Sequence, residues 1–307
     1  MAGSTITTGS IPRLLQEGLQ QVFGNAYDEH PIEFDKIFDE EDSMKAYEVD
    51  QLVETFGLAP VKPEGDDLSY DSFQQGINPK YVHLTYAKGF IVTKEAMADE
   101  LYGVFSKKAR SLAFAMRQTK EVVAANILNR GFNNSFTMEG GDGKSLFATD
   151  HIDGPAGTQY SNKLATAADL AETSLEDMLI QIGNATDSRG LKIALQAQRL
   201  VVPVNLQFTA QRILGSVLQN DTDNNATNAV RDMNSVRDGY TVNHYLTDTD
   251  AWFLKTNCMD GLKCINRQEA DFAEDNAFTT GNMRFKADER YSFGWSNARG
   301  CYGTEGA

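Results

Sequence analysis

The chain has 307 residues, 41% of them apolar and 23% charged, the balance of a folded protein with material for one large domain or two ordinary ones. A net charge of -15 without any Lys/Arg-rich run excludes a free-standing duplex binder, whose footprint is a basic stripe. No run of about 18 apolar residues could span a membrane, no leader pattern opens the chain, and Cys258, Cys264 and Cys301 form neither a disulfide framework nor a metal-ligand spacing.

Residues 1–10 are small and polar and read as a flexible start. Ser10-Ile11-Pro12 opens a short helical pattern with Leu14, Leu15, Leu19 and Val22 on one side, expected to end at Gly24. His30-Pro31 breaks the next stretch, and Phe34, Ile37 and Phe38 follow among acids. This segment is poor in self-contained core and reads as an arm that lies on something else. Tyr47, Val49, Leu52, Val53 and Phe56 form a β-like run closed by Pro60 and Pro63, followed by the polar tip Glu64-Gly65-Asp66-Asp67. Residues 81–93 then alternate apolar and polar with a period close to two, the clearest strand pattern in the chain. Together the two runs predict an extended hairpin, which is marginal in water unless something outside it supplies burial.

Thr93, with Glu95 in the first turn, is the expected N-cap of a long helix. Met97, Leu101, Val104, Phe105, Leu112, Met116, Val122, Val123 and Ile127 recur at threes and fours as far as Asn129, with Gly131 as the stop. At about 1.5 Å per residue this spine would be roughly 50 Å or more long. A turn-rich stretch follows over 131–162. Thr173-Ser174-Leu175-Glu176 reads as a capping box opening a helix that ends at Gly183. Leu200-Val201-Val202-Pro203 reads as a short buried strand, and Asn205 as the cap of a helix carrying Leu206, Ala210, Ile213 and Leu214. Residues 219–235 begin Asn/Asp-rich and predict an exposed loop. Strand-like runs return at 239–246 and 251–255. The C-terminal aromatics Phe278, Phe285, Tyr291, Phe293 and Trp295 predict strands that rejoin a sheet.

Candidate chemistry is thin. Gly140-Gly141-Asp142-Gly143-Lys144-Ser145 resembles a phosphate loop, but Met138 stands where the first glycine is needed, and a helix precedes the segment where a strand should. Asp150 and His151 could form an acid/base or metal pair, yet the four histidines include no i, i+4 pair and no His/Cys cluster. Ser145 and Ser161 lack the nucleophile-elbow setting. Asp221, Asp223 and Asn225 start like a calcium loop, but Ala226 and Asp232 occupy the positions that need Gly and Glu. No cofactor, metal or catalytic residue is assigned. A spine helix, an extended hairpin and an undersupported arm point to association.

In its order of elements the chain resembles the major capsid protein family of tailed bacteriophages. The segment Gly143-Lys144-Ser145-Leu146-Phe147-Ala148-Thr149-Asp150-His151 with Ser161-Asn162 is similar to a stretch after the spine in part of that family. Leu200-Val201-Val202-Pro203 and its helix resemble the entry to the axial domain, and Glu289-Arg290-Tyr291-Ser292-Phe293-Gly294-Trp295 resembles the returning peripheral strand. The resemblance implies an α+β capsid fold: an N-terminal arm over 1–47, an extended hairpin loop over 48–93, a peripheral domain with the spine over 94–170 and 263–303, and an axial domain over 171–262. It implies self-assembly into hexamers and pentamers of an icosahedral head around double-stranded DNA, which an acidic wall would enclose without specific binding. The subunit is expected in the virion, and in the host cytoplasm during assembly. Phe34, Phe38, Phe73, Tyr81, Leu84, Tyr86, Lys88 and Phe90 are the expected subunit interface. Further implied partners are a separate scaffold protein, a portal and a possible decoration protein, with no membrane. Some relatives crosslink a hairpin lysine to a neighbour's asparagine; Lys80 and Lys88 lie on the expected hairpin, but nothing selects a pair. Two other readings stand beside this one: an encapsulin-like compartment shell, and a cytosolic hydrolase using Asp150 and His151.

Overall fold

The computed structural model describes residues 12–307 apart from 54, 73–74, 94, 97–98, 100–102, 154–157, 220–225 and 278. Its elements in chain order are α1 (Pro12–Glu29), β1 (Asp39–Asp42), β2 (Tyr47–Val49), β3 (Lys80–Val82), β4 (Leu84–Val92), α2 (Val104–Asn129), β5 (His151–Asp153), β6 (Thr158–Tyr160), α3 (Glu172–Gly183), β7 (Ala197–Pro203), α4 (Gln207–Gly215), α5 (Ala229–Asp232), β8 (Tyr240–Asn243), β9 (Trp252–Thr256), β10 (Leu262–Asn276), β11 (Met283–Trp295) and β12 (Cys301–Thr304). This is a mixed α+β fold with two four-stranded sheets, ordered β1-β10-β11-β4 and β12-β9-β7-β8.

The first sheet is organised by β11, on which Phe285, Ala287, Glu289 and Tyr291 alternate onto one buried face. The helices cover that face. Leu19 and Phe23 of α1 and Phe105, Ala109, Leu112 and Met116 of α2 close over Phe272 and Phe285. The second sheet buries Leu200, Val202, Trp252, Leu254 and Tyr302 against Leu175, Met178 and Ile182 of α3. Between them lies a third core, in which Phe34, Ile37 and Phe38 meet Leu128 of α2, Phe147, Phe253 and Trp295. Burying each such side chain contributes about 1.5–3 kcal/mol, so the three cores hold the sheets to one spine.

Several sequence expectations are corrected. Helix α1 runs through Gly24 to Glu29, because packing on α2 outweighs the glycine's cost of about 1 kcal/mol. The arm is not short of core: Phe34, Ile37 and Phe38 are buried within their own chain. Their partners, Ala124, Leu128 and Phe293, are distant in sequence and invisible to local reading. The spine starts at Val104 and not at Thr93, and its 26 residues make it about 39 Å long. Thr93 does cap a turn, its Oγ1 accepting from Ala96 N at 3.2 Å. Gly103, however, sits at φ 65°, a left-handed conformation that only glycine adopts at little cost, and it interrupts the helical course.

Helix α3 is capped one turn earlier than the expected box. Its N-cap is Ala171, whose N–H donates to Ser174 Oγ at 3.0 Å. Asn205 lies inside a 3-10 turn (Val204–Leu206) and caps nothing. Strand β12 pairs with β9, so the last strand joins the sheet of β7 and β8 and not the one that carries β11. Met97, Leu101, Phe278, Phe73 and the calcium-like positions 221–225 lie outside the described residues.

Candidate assembly surface

The hairpin is shorter in ladder than its sequence suggests. Strand β2 pairs antiparallel with β3, and the pairing continues through Asp50 N to Pro79 O, Leu52 N to Ile77 O and a bridge between Val53 and Gln75. Strand β4, the most regular alternation in the sequence, belongs elsewhere: it pairs with β11 as the edge of the first sheet. The reason is burial. Tyr86 stacks on Tyr291 and Phe90 on Phe285, contacts that a free ribbon could not offer.

At its base the hairpin is bolted to the body. Lys263 is nearly buried, and its Nζ lies 2.8 Å from Asp260, 2.9 Å from Asp50 and 3.1 Å from Glu41. Burial works against its charge, but the hydrogen bonds to these three carboxylates prevail and hold its pKa well above the ordinary lysine value. Ser296 Oγ donates to Asp50 Oδ2 at 2.5 Å, and Tyr81 Oη lies 2.7 Å from the same hydroxyl. On the return strand Asn78 N and Lys80 N donate to the carbonyls of Gly140 and Glu139, and Lys80 Nζ pairs with Glu139 at 2.7 Å. Gly140 is required there. Its φ is +76°, and a Cβ would sit 2.2 Å from Asn78 O.

Beyond the ladder the neck meets the loop after α3. Arg189 Nη1 donates to Asp71 Oδ2 at 2.5 Å, and its Nη2 to Ser72 O at 2.6 Å. Gly57 N donates to the same Asp71 oxygen at 2.8 Å, and Thr55 Oγ1 donates to Asp187 Oδ2 at 2.5 Å. Past the neck the chain curls into an open concavity lined by residues 56–63 and 66–71. Its apolar side chains are not covered: Leu58, Val61 and Tyr70 are 81%, 94% and 89% exposed, and Phe56 and Leu68 are also exposed. Monomeric proteins rarely leave such a group together in solvent. Residues 48–72 carry seven carboxylates against one lysine.

The outer face of α2 has the opposite character. Its sole carboxylate, Glu121, is fully buried, where its two oxygens accept from the N–H groups of Glu33 and Phe34 at 3.0 and 3.1 Å. Lys107, Lys108 and Arg110 are exposed on it, followed by the exposed apolar side chains of Phe114 and Val122.

A family model described as phage capsid protein matches residues 78–303. This chain belongs to the phage capsid protein family. Its role is that of a virion subunit that self-associates to build a phage head shell. Residues 47–77 precede the matched span, so the exposed end of the hairpin belongs to the part specific to this capsid protein.

No curated protein matches the chain by sequence. Among solved structures the chain is similar to a virus-like particle from Pyrococcus furiosus, with TM-score 0.55 and 13% identity over 94% of this chain and 98% of the other. It is similar to the capsid of cyanophage P-SCSP1u, with TM-score 0.61 and 8% identity over 90% and 88%. It is also similar to the mature capsid of bacteriophage PhiM1, with TM-score 0.59 and 9% identity over 89% and 86%. At these identities the likeness is one of fold.

Of the residues expected at the subunit interface, Phe34, Phe38 and Tyr81 are corrected: all three are buried in the capsid protein's own core and leave no surface for a neighbour. Tyr86 and Phe90 are half-buried against β11, Leu84 and Lys88 are exposed on β4, and Phe73 lies outside the described residues. Sequence reading missed Leu58, Val61, Leu68 and Tyr70. Their signal is apolar residues set among prolines and acids, with no periodic partner to bury them.

The stretch around Asp150 and His151 is a structural clasp. His151 is fully buried, with Nδ1 2.6 Å from Asp142 Oδ2 and Nε2 3.1 Å from Leu146 O. Burial of Asp142 raises its pKa, but the His151 hydrogen bond prevails and leaves it below the ordinary value. Asp150 pairs with Lys144. Asn162, also buried, accepts from Ala148 N at 3.0 Å and places Nδ2 within 3.0 Å of the carbonyls of Leu146, Ala298 and Cys301. The hydrolase reading is thereby corrected, since a base without exposed surface cannot meet a substrate. The similarity seen in this segment reflects the joining of the post-spine loop to the C-terminus.

Among the described residues no group of three or more His, Cys, Asp or Glu side chains converges as metal ligands. No helix among them is long and apolar enough to cross a membrane. Burial pushes the Cys258 and Cys264 thiols up to about 11 and about 12, which keeps them poor nucleophiles at neutral pH.

Proposed function

We propose that the chain is the subunit of hexamers and pentamers that close an icosahedral head around double-stranded DNA, and that the end of its hairpin seats on the spine face of the adjacent copy. One observation carries this: a cluster of exposed apolar side chains on an acidic hairpin, in a chain whose spine presents exposed cations and apolar side chains without an exposed carboxylate. Apolar burial at roughly 25 cal/mol per Å² supplies the attraction. Opposite charges set the orientation and suppress wrong pairings. Each contact can be weak, because many act together in a closed shell. The part bearing α1, α2 and the first sheet corresponds to the peripheral portion of such a subunit, and the part built on the second sheet to the axial portion.

The net charge of -15 supports a wall that encloses DNA without binding it. A separate scaffold protein, a portal and a decoration protein are the partners this role calls for, with assembly in the host cytoplasm. The test is to replace residues 58–70 by a short glycine-serine turn. The variant should keep the parent melting temperature and form no shells in electron micrographs; normal shells would overturn the hairpin's role.

A further inference from the structure

We infer that Arg189 is a positioning residue for assembly: it clamps the neck of the hairpin where the backbone ladder stops, and so presents the apolar end in one pose to a neighbouring copy. The inference rests on the proposed seating of that end and adds the device that orders it.

The last ladder contact is the bridge between Val53 and Gln75. Immediately beyond it, one guanidinium binds the returning strand at two points, Asp71 Oδ2 and Ser72 O. The same Asp71 oxygen takes Gly57 N from the outgoing strand, so a single side chain ties both strands of the neck together. A second tie runs from Thr55 to Asp187, two residues before the arginine.

The loop that carries the clamp is itself rigid. Asp187 Oδ1 accepts from Arg189 N at 2.9 Å and from Leu191 N at 2.8 Å, and Ser188 O accepts from Thr158 Oγ1 at 3.2 Å. A planar guanidinium suits this task, because its fork of donors fixes direction as well as distance. No strand pairing holds the neck, yet it supports at least five exposed apolar side chains. An end free to swing would have to be ordered at every docking event, and that entropy opposes association. Asp71 agrees with the geometry: the Gly57 N–H and the Arg189 guanidinium hold its carboxyl below the usual carboxylate range.

The full chain, held below its assembly threshold, is compared with Arg189→Ala, Arg189→Lys, Asp71→Asn and the exchanged pair Arg189→Asp with Asp71→Arg. Hydrogen exchange should rise about fivefold at residues 55–57 and 71–72 in Arg189→Ala, with 47–53 unchanged. The concentration at which shells appear, followed by light scattering and electron microscopy, should rise about fivefold as well. The exchanged pair should recover most of both effects, and Arg189→Lys only part, having no fork. Unchanged exchange in Arg189→Ala, or faster exchange with an unchanged threshold, would overturn the clamp. If Arg189→Ala does not fold, Asp71→Asn carries the test, since Asp71 is exposed. Loss of shells on replacing 58–70, together with normal assembly of Arg189→Ala, removes the clamp alone. Normal shells from the 58–70 variant remove the reading beneath it.

Discussion

The clasp behind the spine and the end of the hairpin treat their surfaces in opposite ways. In the clasp, Asn162 and His151 are fully buried, and every side-chain nitrogen and oxygen of the two faces a partner within the same chain. At the hairpin end, Leu58, Val61 and Tyr70 stand in solvent, and the polar ties lie at the neck below them. A region whose groups are satisfied internally serves the fold of one subunit. A region whose apolar groups are left over serves contact with another copy. The difference therefore separates residues of stability from residues of assembly.

The largest effect should come from emptying the clasp. Asn162→Ala strands the Ala148 N–H and three carbonyls in a dry site, and each lost partner costs about 1–3 kcal/mol; a total of about 4 kcal/mol should appear in urea unfolding. Leu128→Ala, in the core where the arm meets the spine, should cost about 3 kcal/mol by the same measurement. A loss under about 1 kcal/mol in either would break the assignment of these sites to stability.

A smaller effect concerns pH. Burial raises the pKa of Glu289, against the Tyr27 hydrogen bond and the charges of Lys120 and Arg117, and it raises that of Glu121, against the N–H groups of Glu33 and Phe34 and the charge of Arg117. The folded chain therefore takes up these protons at a higher pH than the unfolded chain does. Their contribution to stability is full below the ordinary value of about 4.5 and is lost as pH rises through the raised values. Urea midpoints measured from pH 7 down toward 5 should show this gain in the parent and a reduced gain in Glu289→Gln; equal gains would refute the assignment.

The smallest effect on the fold should come from the hairpin end. Leu58→Ser, Val61→Ser and Tyr70→Ser together should change unfolding free energy by no more than about 0.5 kcal/mol while abolishing shells. A stability loss of about 2 kcal/mol or more would instead place these side chains in the subunit's own core.

Local pattern carried much of the fold. The threes and fours of the spine, the alternation over 84–92 and the buried run at Leu200, Val201 and Val202 all became the elements their periods require. The partners of those elements were not legible. Strand β4 had the right period but was assigned to the wrong hairpin, since nothing in its own residues names β11 as its neighbour. Arg189 carried no signal, because its role exists only where a loop after α3 passes the neck of a ribbon more than a hundred residues earlier.

What the sequence determined by itself is therefore the set of elements and the character of each surface, because helix and strand periods and charge are properties of neighbouring residues. What only the tertiary structure decided is which apolar residues were already spent. Phe34, Phe38 and Tyr81 look as ready for a neighbour as Leu58 and Tyr70 do, and burial among residues far along the chain is what turned the first three into core and left the other two for assembly.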